Sequence, residues 1–365
     1  MSHAVIVGAG IAGLVCARAL QQRGWRVTVL ERSSGAEPAG AGILLGANAM
    51  ACLDTLGLGD ALREAGVTVP TLRIVDAAGR TLQSVVMREV RDDAEMWAFT
   101  RTDLHAVLGA GVAVGYGHSV EVADEAGVTV DGRRIVADLV VGADGLRSRV
   151  RAGLQDMALR HAGQVCWRTM GADPLGDSET VERWGPGVRL GTVPLRDGRL
   201  YAFFVARAAP GSPDVSADRA GLARRFAAFG DVAERVLAQA DTVIQHDLID
   251  LPTQVWGRGR LVLIGDAAHA MTPNMGQGAA MGIEDALVLA EVADGPDPAG
   301  ALAARRGARV RKVWSTSWTL GAVAQWENPV ACWARDQLVR LTPRSAQLAP
   351  FVDLLEGAPV PPRLG

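Results

Sequence analysis

The sequence is short of several residue types, and each shortage excludes something. Its 365 residues contain one lysine, Lys312, and only two tyrosines, so arginine carries almost all of the positive charge. Lys+Arg 37 against Asp+Glu 40 gives a formal net charge of -3, which provides no strong field to attract nucleic acid or an anionic membrane. No apolar run reaches the roughly 18 residues that a membrane-spanning helix needs. The chain starts as MSHAVIVGAG, directly in a predicted strand, so we expect no signal peptide and a cytoplasmic protein.

Cysteine is also scarce, and its spacing matches neither a disulfide framework nor a metal site. No CxxC pair occurs, and no histidine lies at metal-binding spacing from a cysteine. We therefore predict free thiols, a reducing compartment and no bound metal. The four cysteines are Cys16, Cys52, Cys166 and Cys332.

Glycine, by contrast, is abundant, with 43 of the 365 residues against a usual share of roughly 7%. This excess predicts many turns or close approaches of the backbone to a ligand. The length predicts about two domains at roughly 150 residues each. The 49% hydrophobic and 21% charged composition is that of an ordinary globular protein.

A glycine-rich motif lies between the first predicted strand and the first predicted helix. Residues 5–7 are a β-branched run, residues 11–23 have helical periodicity, and residues 26–30 read as the next strand. This matches the ~30-residue βαβ unit of dinucleotide-binding proteins. The turn between strand and helix reads Gly8-Ala9-Gly10-Ile11-Ala12-Gly13.

Each glycine of this motif has its own expected role. Gly8 allows the tight turn, Gly10 lets the backbone approach a pyrophosphate, and Gly13 lets helix and strand pack closely. Glu31 follows the second strand, where its carboxylate can accept hydrogen bonds from ribose hydroxyls. The unit predicts a bound dinucleotide without distinguishing NAD from FAD. A purely structural glycine turn is the alternative.

Two further motifs follow predicted buried strands later in the chain. Residues 142–151 read GADGLRSRVR, and residues 265–286 read GDAAHAMTPNMGQGAAMGIEDA. Each places an aspartate, Asp144 or Asp266, near the carboxyl end of its strand, where it can bind a ribose or ribityl hydroxyl. Glycines after Pro273 would let a helix N-terminus approach a flat ring or a phosphate.

These three motifs, in this order, resemble those of the class A flavoprotein monooxygenases, the p-hydroxybenzoate hydroxylase-like family, and in particular its salicylate and urate hydroxylase-type members. The resemblance covers residues 1 to about 342. It implies a Rossmann-like FAD-binding domain of the GR2 flavoprotein type, interleaved with an antiparallel-sheet substrate domain and followed by C-terminal helices. We expect residues 1–70, 96–160 and 245–295 in the FAD domain, 71–95 and 161–244 in the substrate domain, and 296–365 in the helices.

The resemblance also implies roles for individual residues around FAD. The first motif and Glu31 would bind the ADP half, Asp144 would contact FAD and the passing nicotinamide cofactor, and Asp266 would hold the ribityl chain. Arg101 begins a helix that resembles the family's Arg-x-x-Leu segment, whose arginine reaches FAD. The remaining expected FAD neighbours are Arg32 near the adenosine, and Pro273, Gly276 and Gly278 beside the isoalloxazine. For Arg101 and Arg32 the alternative is an exposed arginine without a ligand.

The family's chemistry implies a single-component enzyme with FAD as cofactor and NAD(P)H as a transient co-substrate. Reduced FAD reacts with O₂ to a C4a-hydroperoxide, which hydroxylates an electron-rich aromatic or heteroaromatic small molecule. The protein must exclude water from that species. The sequence contains no second GxGxxG unit for a nicotinamide cofactor, which agrees with transient binding.

Candidate substrate residues lie on predicted strands of the central region. Residues 166–168 read Cys-Trp-Arg and resemble a common family strand that ends in a Trp-Arg pair. Arg189 and Tyr201 stand at the spacing of an arginine and a tyrosine that address an anionic heterocycle in urate-hydroxylating relatives. An arginine can stabilise a substrate anion and a tyrosine can hydrogen-bond it. The alternative is an exposed arginine and a core tyrosine.

Other interpretations stay open at this stage. The same fold also serves epoxidases and isoprenoid double-bond reductases, and a flavin-binding protein without turnover is possible from intact motifs alone. A flavin halogenase is a poorer match because the Trp-x-Trp-x-x-Pro signature is absent. His269 within the third motif is better explained as a structural residue than as a base. Trp314 and Trp318 share a helix face and predict core packing or a dimer contact, with a substrate-entrance wall as the alternative. We expect a monomer or a homodimer.

Overall fold

The computed structural model describes residues 1–35 and 41–360. Within these residues the strands are β1 (His3–Val7), β2 (Arg26–Glu31), β3 (Gly42–Leu45), β4 (Val67–Thr68), β5 (Thr71–Asp76), β6 (Thr81–Val86), β7 (Trp97–Thr100), β8 (Val114–Tyr116), β9 (Val120–Asp124), β10 (Gly127–Val130), β11 (Arg133–Val136), β12 (Leu139–Gly142), β13 (Arg160–Ala172), β14 (Thr180–Gly185), β15 (Val188–Leu195), β16 (Arg199–Arg207), β17 (Ala240–Asp250), β18 (Gly257–Arg258) and β19 (Leu261–Leu263).

The helices of the same residues are α1 (Ile11–Gln22), α2 (Ala47–Thr55), α3 (Gly59–Ala65), α4 (Met87–Val90), α5 (Arg101–Gly109), α6 (Arg149–Leu154), α7 (Arg219–Arg225), α8 (Val232–Ala238), α9 (Asp266–His269), α10 (Gly278–Val292), α11 (Pro298–Ala324), α12 (Pro329–Leu341) and α13 (Arg344–Glu356). A short 3₁₀ turn covers Pro273–Met275. None of these helices is long and apolar enough to cross a membrane.

A six-stranded sheet carries the three sequence motifs. Its order is β18-β19-β12-β1-β2-β8, and only the β18–β19 pair is antiparallel. The central strand β1 is buried throughout, as its β-branched sequence predicts. Because β1, β12 and β19 run parallel, the motif that follows each strand lies at the same edge of the sheet.

A seven-stranded sheet forms the second large layer, in the order β17-β13-β16-β15-β14-β5-β6. It combines the ribbon of residues 71–86 with strands between residues 160 and 250, as an interleaved domain requires. One pair departs from the expected antiparallel pattern, since β5 and β14 run parallel. These strands come from separate passes of the chain, and side-chain alternation along a strand carries no information on the direction of its partner.

The two faces of this sheet have different environments. One face packs against α7 and α8 through a core that includes Trp167, Phe204 and Phe226. The other face carries Cys166, Arg168 and Tyr201, which alternate with those core residues along β13 and β16. We call this second side the site face, defined by Cys166, Arg168, Met170, Arg189, Gly191, Tyr201, Phe203 and His246.

Candidate active site

The first motif shows two glycines packed against backbone and one facing open space. A Cβ on Gly13 would lie 2.0 Å from the carbonyl oxygen of Gly8. Gly8 has a φ of +106°, and a Cβ there would lie 2.4 Å from the carbonyl oxygen of Ala143, in the second motif. Gly10 has no protein atom within 4 Å of its Cβ position. Because α1 begins at this point without an acidic first turn, its N-terminus presents free N–H groups to an anion.

The Glu31 carboxylate lies against the same turn. Its Oε2 accepts a hydrogen bond of 2.9 Å from the Ala9 N–H, and its Oε1 accepts one of 2.9 Å from the Ser33 N–H. Burial acts to raise the pKa of Glu31, but these hydrogen bonds and the adjacent Arg32 outweigh it and lower the pKa. Arg32 itself is exposed. Glu31 is therefore ionised and can accept further hydrogen bonds from a ribose.

Asp144 in the second motif has one occupied and one free carboxylate oxygen. Its Oδ2 accepts hydrogen bonds from the backbone N–H groups of Arg149, at 2.7 Å, and Val150, at 3.2 Å. Its Oδ1 is buried and has no partner within the described part of the chain. A buried carboxylate oxygen without a donor is energetically unfavourable, so a ligand hydroxyl or N–H at this position would stabilise it.

The third motif encloses Asp266 at the start of α9. The Asp266 side chain is accessible to solvent, yet protein surrounds it closely enough that desolvation raises its pKa, against the opposing effects of His269 and Arg101. The Cβ position of Gly278 lies 3.9 Å from Asp266 Oδ1. Gly276, with a φ of +63°, has open space at its Cβ position. Neither glycine therefore places a side chain beside Asp266.

A fully buried charge network supports this motif from behind. Asp285 accepts hydrogen bonds from the Gly265 N–H at 3.1 Å and from Arg306 Nε at 2.9 Å, and it contacts His269 Nε2 at 2.5 Å. Arg306 also pairs with Glu284. We call these four side chains, His269, Glu284, Asp285 and Arg306, the buried charge network. The exposed fraction of His269 is 1%, so it supports the turn before Asp266, in agreement with its predicted structural role.

Arg101 connects the cofactor motifs to the substrate sheet. It begins α5, its Nε is buried without a partner in the described residues, and it lies within electrostatic range of Asp266, Arg168 and Tyr201. Burial, followed by the neighbouring Arg168, lowers its pKa. The unpaired Nε–H is therefore available to a ligand between the two sheets.

Tyr201 and Phe203 form an aromatic wall on the site face. Their ring centroids are 6.1 Å apart. A Cβ on Gly42 would lie 2.5 Å from Tyr201 Cβ, and a Cβ on Gly191 would lie 1.9 Å from Phe203 Cζ, so each ring rests on a glycine. Burial raises the pKa of Tyr201 to about 12, although Arg168 and Arg101 act to lower it. Tyr201 is thus a neutral phenol that can donate a hydrogen bond.

Arg168 lies beside Tyr201 and was not among the predicted catalytic residues. Its Nε is buried without a partner among the described residues. His246 on the adjacent edge strand pairs in register with Cys166, two residues from Arg168. His246 is exposed, and its pKa is lowered by partial burial, Arg168 and Arg101, with Asp214 opposing. The Trp-Arg pair was the sequence signal for Arg168, whereas nothing local marked His246.

Arg189, the predicted anion-stabilising residue, is only 2% exposed and is well supplied with partners. Its Nη2 donates to Asn274 Oδ1 at 2.7 Å and to Gln164 Oε1 at 3.3 Å, and its Nη1 pairs with Glu182 at 3.2 Å. Direct contact between Arg189 and substrate therefore stays a prediction, and these bonds favour an indirect role. Pro273 begins the 3₁₀ turn that contains Asn274.

The arrangement fits a bound FAD. An open helix N-terminus beside Gly10, an ionised Glu31 and an unpaired Asp144 oxygen suit a pyrophosphate and hydroxyl groups. Asp266 lies within electrostatic range of Arg101, whose buried Nε has no partner among the described residues. All four cysteines are free and buried.

Comparison with known proteins agrees with this geometry. The family model "FAD binding domain" matches residues 1–294. The chain is 37% identical over 363 residues to a 2-heptyl-3-hydroxy-4(1H)-quinolone synthase of Pseudomonas aeruginosa, covering 94% of this chain and 95% of that protein. It is 34% identical to the aurachin C monooxygenase/isomerase of Stigmatella aurantiaca, covering 92% and 93%.

A solved structure is similar over nearly the whole chain. The Klebsiella pneumoniae HpxO complexed with FAD and uric acid superposes with a TM-score of 0.88 at 26% identity, covering 98% of this chain and 97% of that one. This confirms the predicted fold class. The relatives do not favour the epoxidase, reductase or non-turnover alternatives. The chain belongs to the FAD-binding-domain family and is a single-component FAD-dependent monooxygenase of the aromatic and heteroaromatic hydroxylase type, with NAD(P)H as electron donor.

Proposed function

We propose that this monooxygenase hydroxylates a neutral, bicyclic nitrogen heteroaromatic of the 4(1H)-quinolone type that carries an apolar substituent. The observation that carries the proposal is the buried, unpaired Nε of Arg168 beside the neutral Tyr201 phenol and the Tyr201–Phe203 aromatic wall. The 37% and 34% identities to a quinolone synthase and an aurachin C monooxygenase support the same class.

The apolar surroundings suit a substituent on the ring. Tyr201 belongs to a buried cluster with Met96, Val193 and Leu195, and Met170 and Phe203 pack against it while remaining partly accessible. An alkyl chain in such a setting contributes about 0.8 kcal/mol for each buried CH₂. A small, strongly polar substrate such as a purine has no alkyl group to bury and would gain no binding free energy from these contacts.

The FAD-binding residues keep the roles that the family resemblance implies. When bound and reduced, FAD supplies the activated oxygen from O₂. The chain's part is to hold it with the first motif and Glu31 at the ADP half and Asp266 at the ribityl chain, while Asp144 contacts both FAD and the passing nicotinamide cofactor. The other proposed FAD contacts are Arg32, Arg101, Pro273, Gly276 and Gly278.

Arg168 and Tyr201 would act on the substrate oxygen. A guanidinium beside a ring carbonyl stabilises the anion formed when the ring N–H loses its proton, and this makes the adjacent carbon more electron-rich. The Tyr201 hydroxyl, neutral because burial raises its pKa to about 12, donates a hydrogen bond that fixes the ring orientation. His246, held neutral by its lowered pKa and exposed to solvent, is placed to accept the proton on a ring nitrogen and release it to water.

A substrate panel tests the proposal. Purified holoenzyme is given NADH or NADPH with 2-heptyl-4(1H)-quinolone, 3-hydroxybenzoate or uric acid, and cofactor oxidation, O₂ uptake and product mass are followed. We expect the quinolone to accelerate cofactor oxidation at least tenfold and to gain one oxygen atom. Acceleration only by benzoate or urate would overturn the quinolone assignment and leave the monooxygenase intact.

Location and assembly complete the proposal. We propose a cytoplasmic enzyme that is a monomer or a homodimer and acts on a small molecule without nucleic acid. Light scattering of the holoenzyme distinguishes the two assemblies, and a tetramer would contradict both.

A further inference from the structure

A cluster of hydrogen-bonded polar side chains lies where the seven-stranded sheet, the loop at residues 273–278 and helix α11 meet. Asn274 is at its centre. Its Oδ1 accepts from Arg189 of β15 at 2.7 Å, and its Nδ2 donates to the carbonyl oxygen of Ser317 in α11 at 2.9 Å. A single side chain of the loop that begins with Pro273 is therefore tied to two separate parts of the molecule.

The surrounding contacts fix each partner of Asn274 in turn. Gln164 of β13 accepts from Arg189 at 3.3 Å and donates to the carbonyl oxygen of Gly321 at 3.2 Å. Ser317 contacts Thr272, the residue before Pro273, through its hydroxyl at 3.1 Å. Gln164, Arg189, Ser317 and Thr272 are all at least 95% buried. In such a dry setting each bond is strong and costly to lose.

The sequence of α11 leaves space for this side chain at one point. A Cβ on Gly321 would lie 2.2 Å from Asn274 Nδ2 and 2.8 Å from its Cγ. Glycine in a helix interior costs roughly 1 kcal/mol relative to alanine. At residue 321 of this 27-residue helix the missing Cβ leaves the space that the Asn274 side chain occupies.

We propose that Asn274 is a positioning residue that sets the placement of the loop at residues 273–278 against the flavin, and that Arg189 and α11 act on the reaction through it. The inference rests on the proposed placement of the isoalloxazine beside these residues. Neither Arg189 nor α11 then needs to touch substrate. The arrangement also explains why a buried arginine with three partners stands at a position where the sequence predicted substrate contact.

Alanine substitutions in α11 provide a matched test. Gly321→Ala forces Asn274 to move, whereas Gly307→Ala in the same helix meets no atom closer than 3.7 Å and serves as the control. Both changes raise helix propensity equally. In purified holoenzyme we expect Gly321→Ala, but not Gly307→Ala, to shift the visible absorption and reduction potential of bound FAD. It should also raise the H₂O₂ formed per NAD(P)H at least threefold, with little change in the KM for NAD(P)H.

A second substitution keeps the test decisive if Gly321→Ala folds poorly. Asn274→Ala removes the atom that the new methyl group would meet, so Asn274→Ala/Gly321→Ala should be no worse than Asn274→Ala alone, a strongly non-additive result. Asn274→Asp retains the Arg189 bond and should restore part of the flavin spectrum. Flavin spectra and potentials identical to wild type in both Asn274→Ala and Gly321→Ala would overturn the inference.

The outcome separates this inference from the proposed substrate. Absorption and reduction potential need no substrate, so they remain informative if no quinolone is hydroxylated. Conversely, wild-type turnover of a quinolone with unaltered flavin in these variants would leave the proposed function standing and remove only the role of Asn274.

Discussion

The buried charge network and the site face differ in how completely their polar groups are paired. We call the first the paired end of the site and the second the unpaired end. Behind Asp266, the buried charge network pairs both carboxylates with Arg306, and its four side chains are at most 2% exposed. Among its described polar atoms only His269 Nδ1 lacks a partner. On the site face, Arg168 and Arg189 each retain a buried Nε without a partner in the described residues, and so does the nearby Arg101. The ion pairs of the paired end stabilise the folded chain, whereas the unpaired donors of the other end remain available to a ligand. Substitutions should therefore affect stability at the first end and turnover at the second.

The largest expected effect lies in the buried charge network. Arg306→Met leaves the buried Glu284 with Arg309 as its one remaining cation and Asp285 with His269 alone. We expect it to lower the free energy of unfolding by about 3 kcal/mol, the low end for a buried ion pair that loses one partner. Urea denaturation measures the change. Arg305→Met is the control, because the neighbouring Arg305 forms an exposed ion pair with Glu291 whose loss should cost under about 1 kcal/mol. Equal losses in the two variants would contradict the contrast between the ends.

Two glycines of the first motif, which spans six residues, allow the same comparison between loss of stability and loss of ligand binding. Gly13→Ala places a methyl group 2.0 Å from backbone oxygen and should lower stability by about 1–3 kcal/mol or more. Gly10→Ala meets no protein atom, so the melting temperature of the apoprotein should not change, while FAD affinity should fall about tenfold or more because the pyrophosphate approaches there. Thermal melts of apoprotein and FAD titrations check both, and unchanged FAD affinity in Gly10→Ala would remove Gly10 from the FAD site.

At the unpaired end we expect the reverse pattern. Arg168→Met should lower the melting temperature only slightly, because Arg168 forms no salt bridge with the described residues and loses one weak side-chain hydrogen bond to Cys166. In contrast, kcat/KM should fall about 100-fold, roughly 2.7 kcal/mol of transition-state stabilisation. Arg225→Met is the matched control, since Arg225 stacks at 5.1 Å on Trp167 on the opposite face of the same strand. A comparable fall in kcat/KM in both variants would show that Arg168 contributes to the structure and not to catalysis.

The smallest expected effect concerns pH and His246. Its pKa in the folded chain is lowered below 6.5, so the unfolded chain binds more protons in the interval between the two values. This residue therefore makes the protein less stable as pH falls through that interval. His246→Gln should narrow the difference in melting temperature between about pH 7.5 and about pH 5.5, with little change at the higher pH. A wider difference would contradict the direction of the shift.

Local sequence spacing carries more information about the glycine motifs than about the site face, for a physical reason. Gly8, Gly10 and Gly13 are read within one turn, and Asp266 follows its strand directly, so local spacing reveals where backbone must approach a ligand. Arg168 and Arg189 lie on one sheet face by alternation alone. How the Arg189 guanidinium is paired depends on Asn274, 85 residues after Arg189, and no local pattern contains that information. The parallel pairing of β5 with β14 was missed for the same reason.

The close packing of α1 on α10 has a consequence for how the enzyme is made. Ala12 Cβ lies 3.0 Å from the Cβ positions of both Gly265 and Gly282. The first and third motifs therefore pack directly against each other, although about 250 residues of chain separate them. The flavin site is therefore incomplete until α10 has been synthesised and released from the ribosome. Because the three motifs meet only in the nearly complete chain, FAD binding there would stabilise the assembled fold and not an early folding unit.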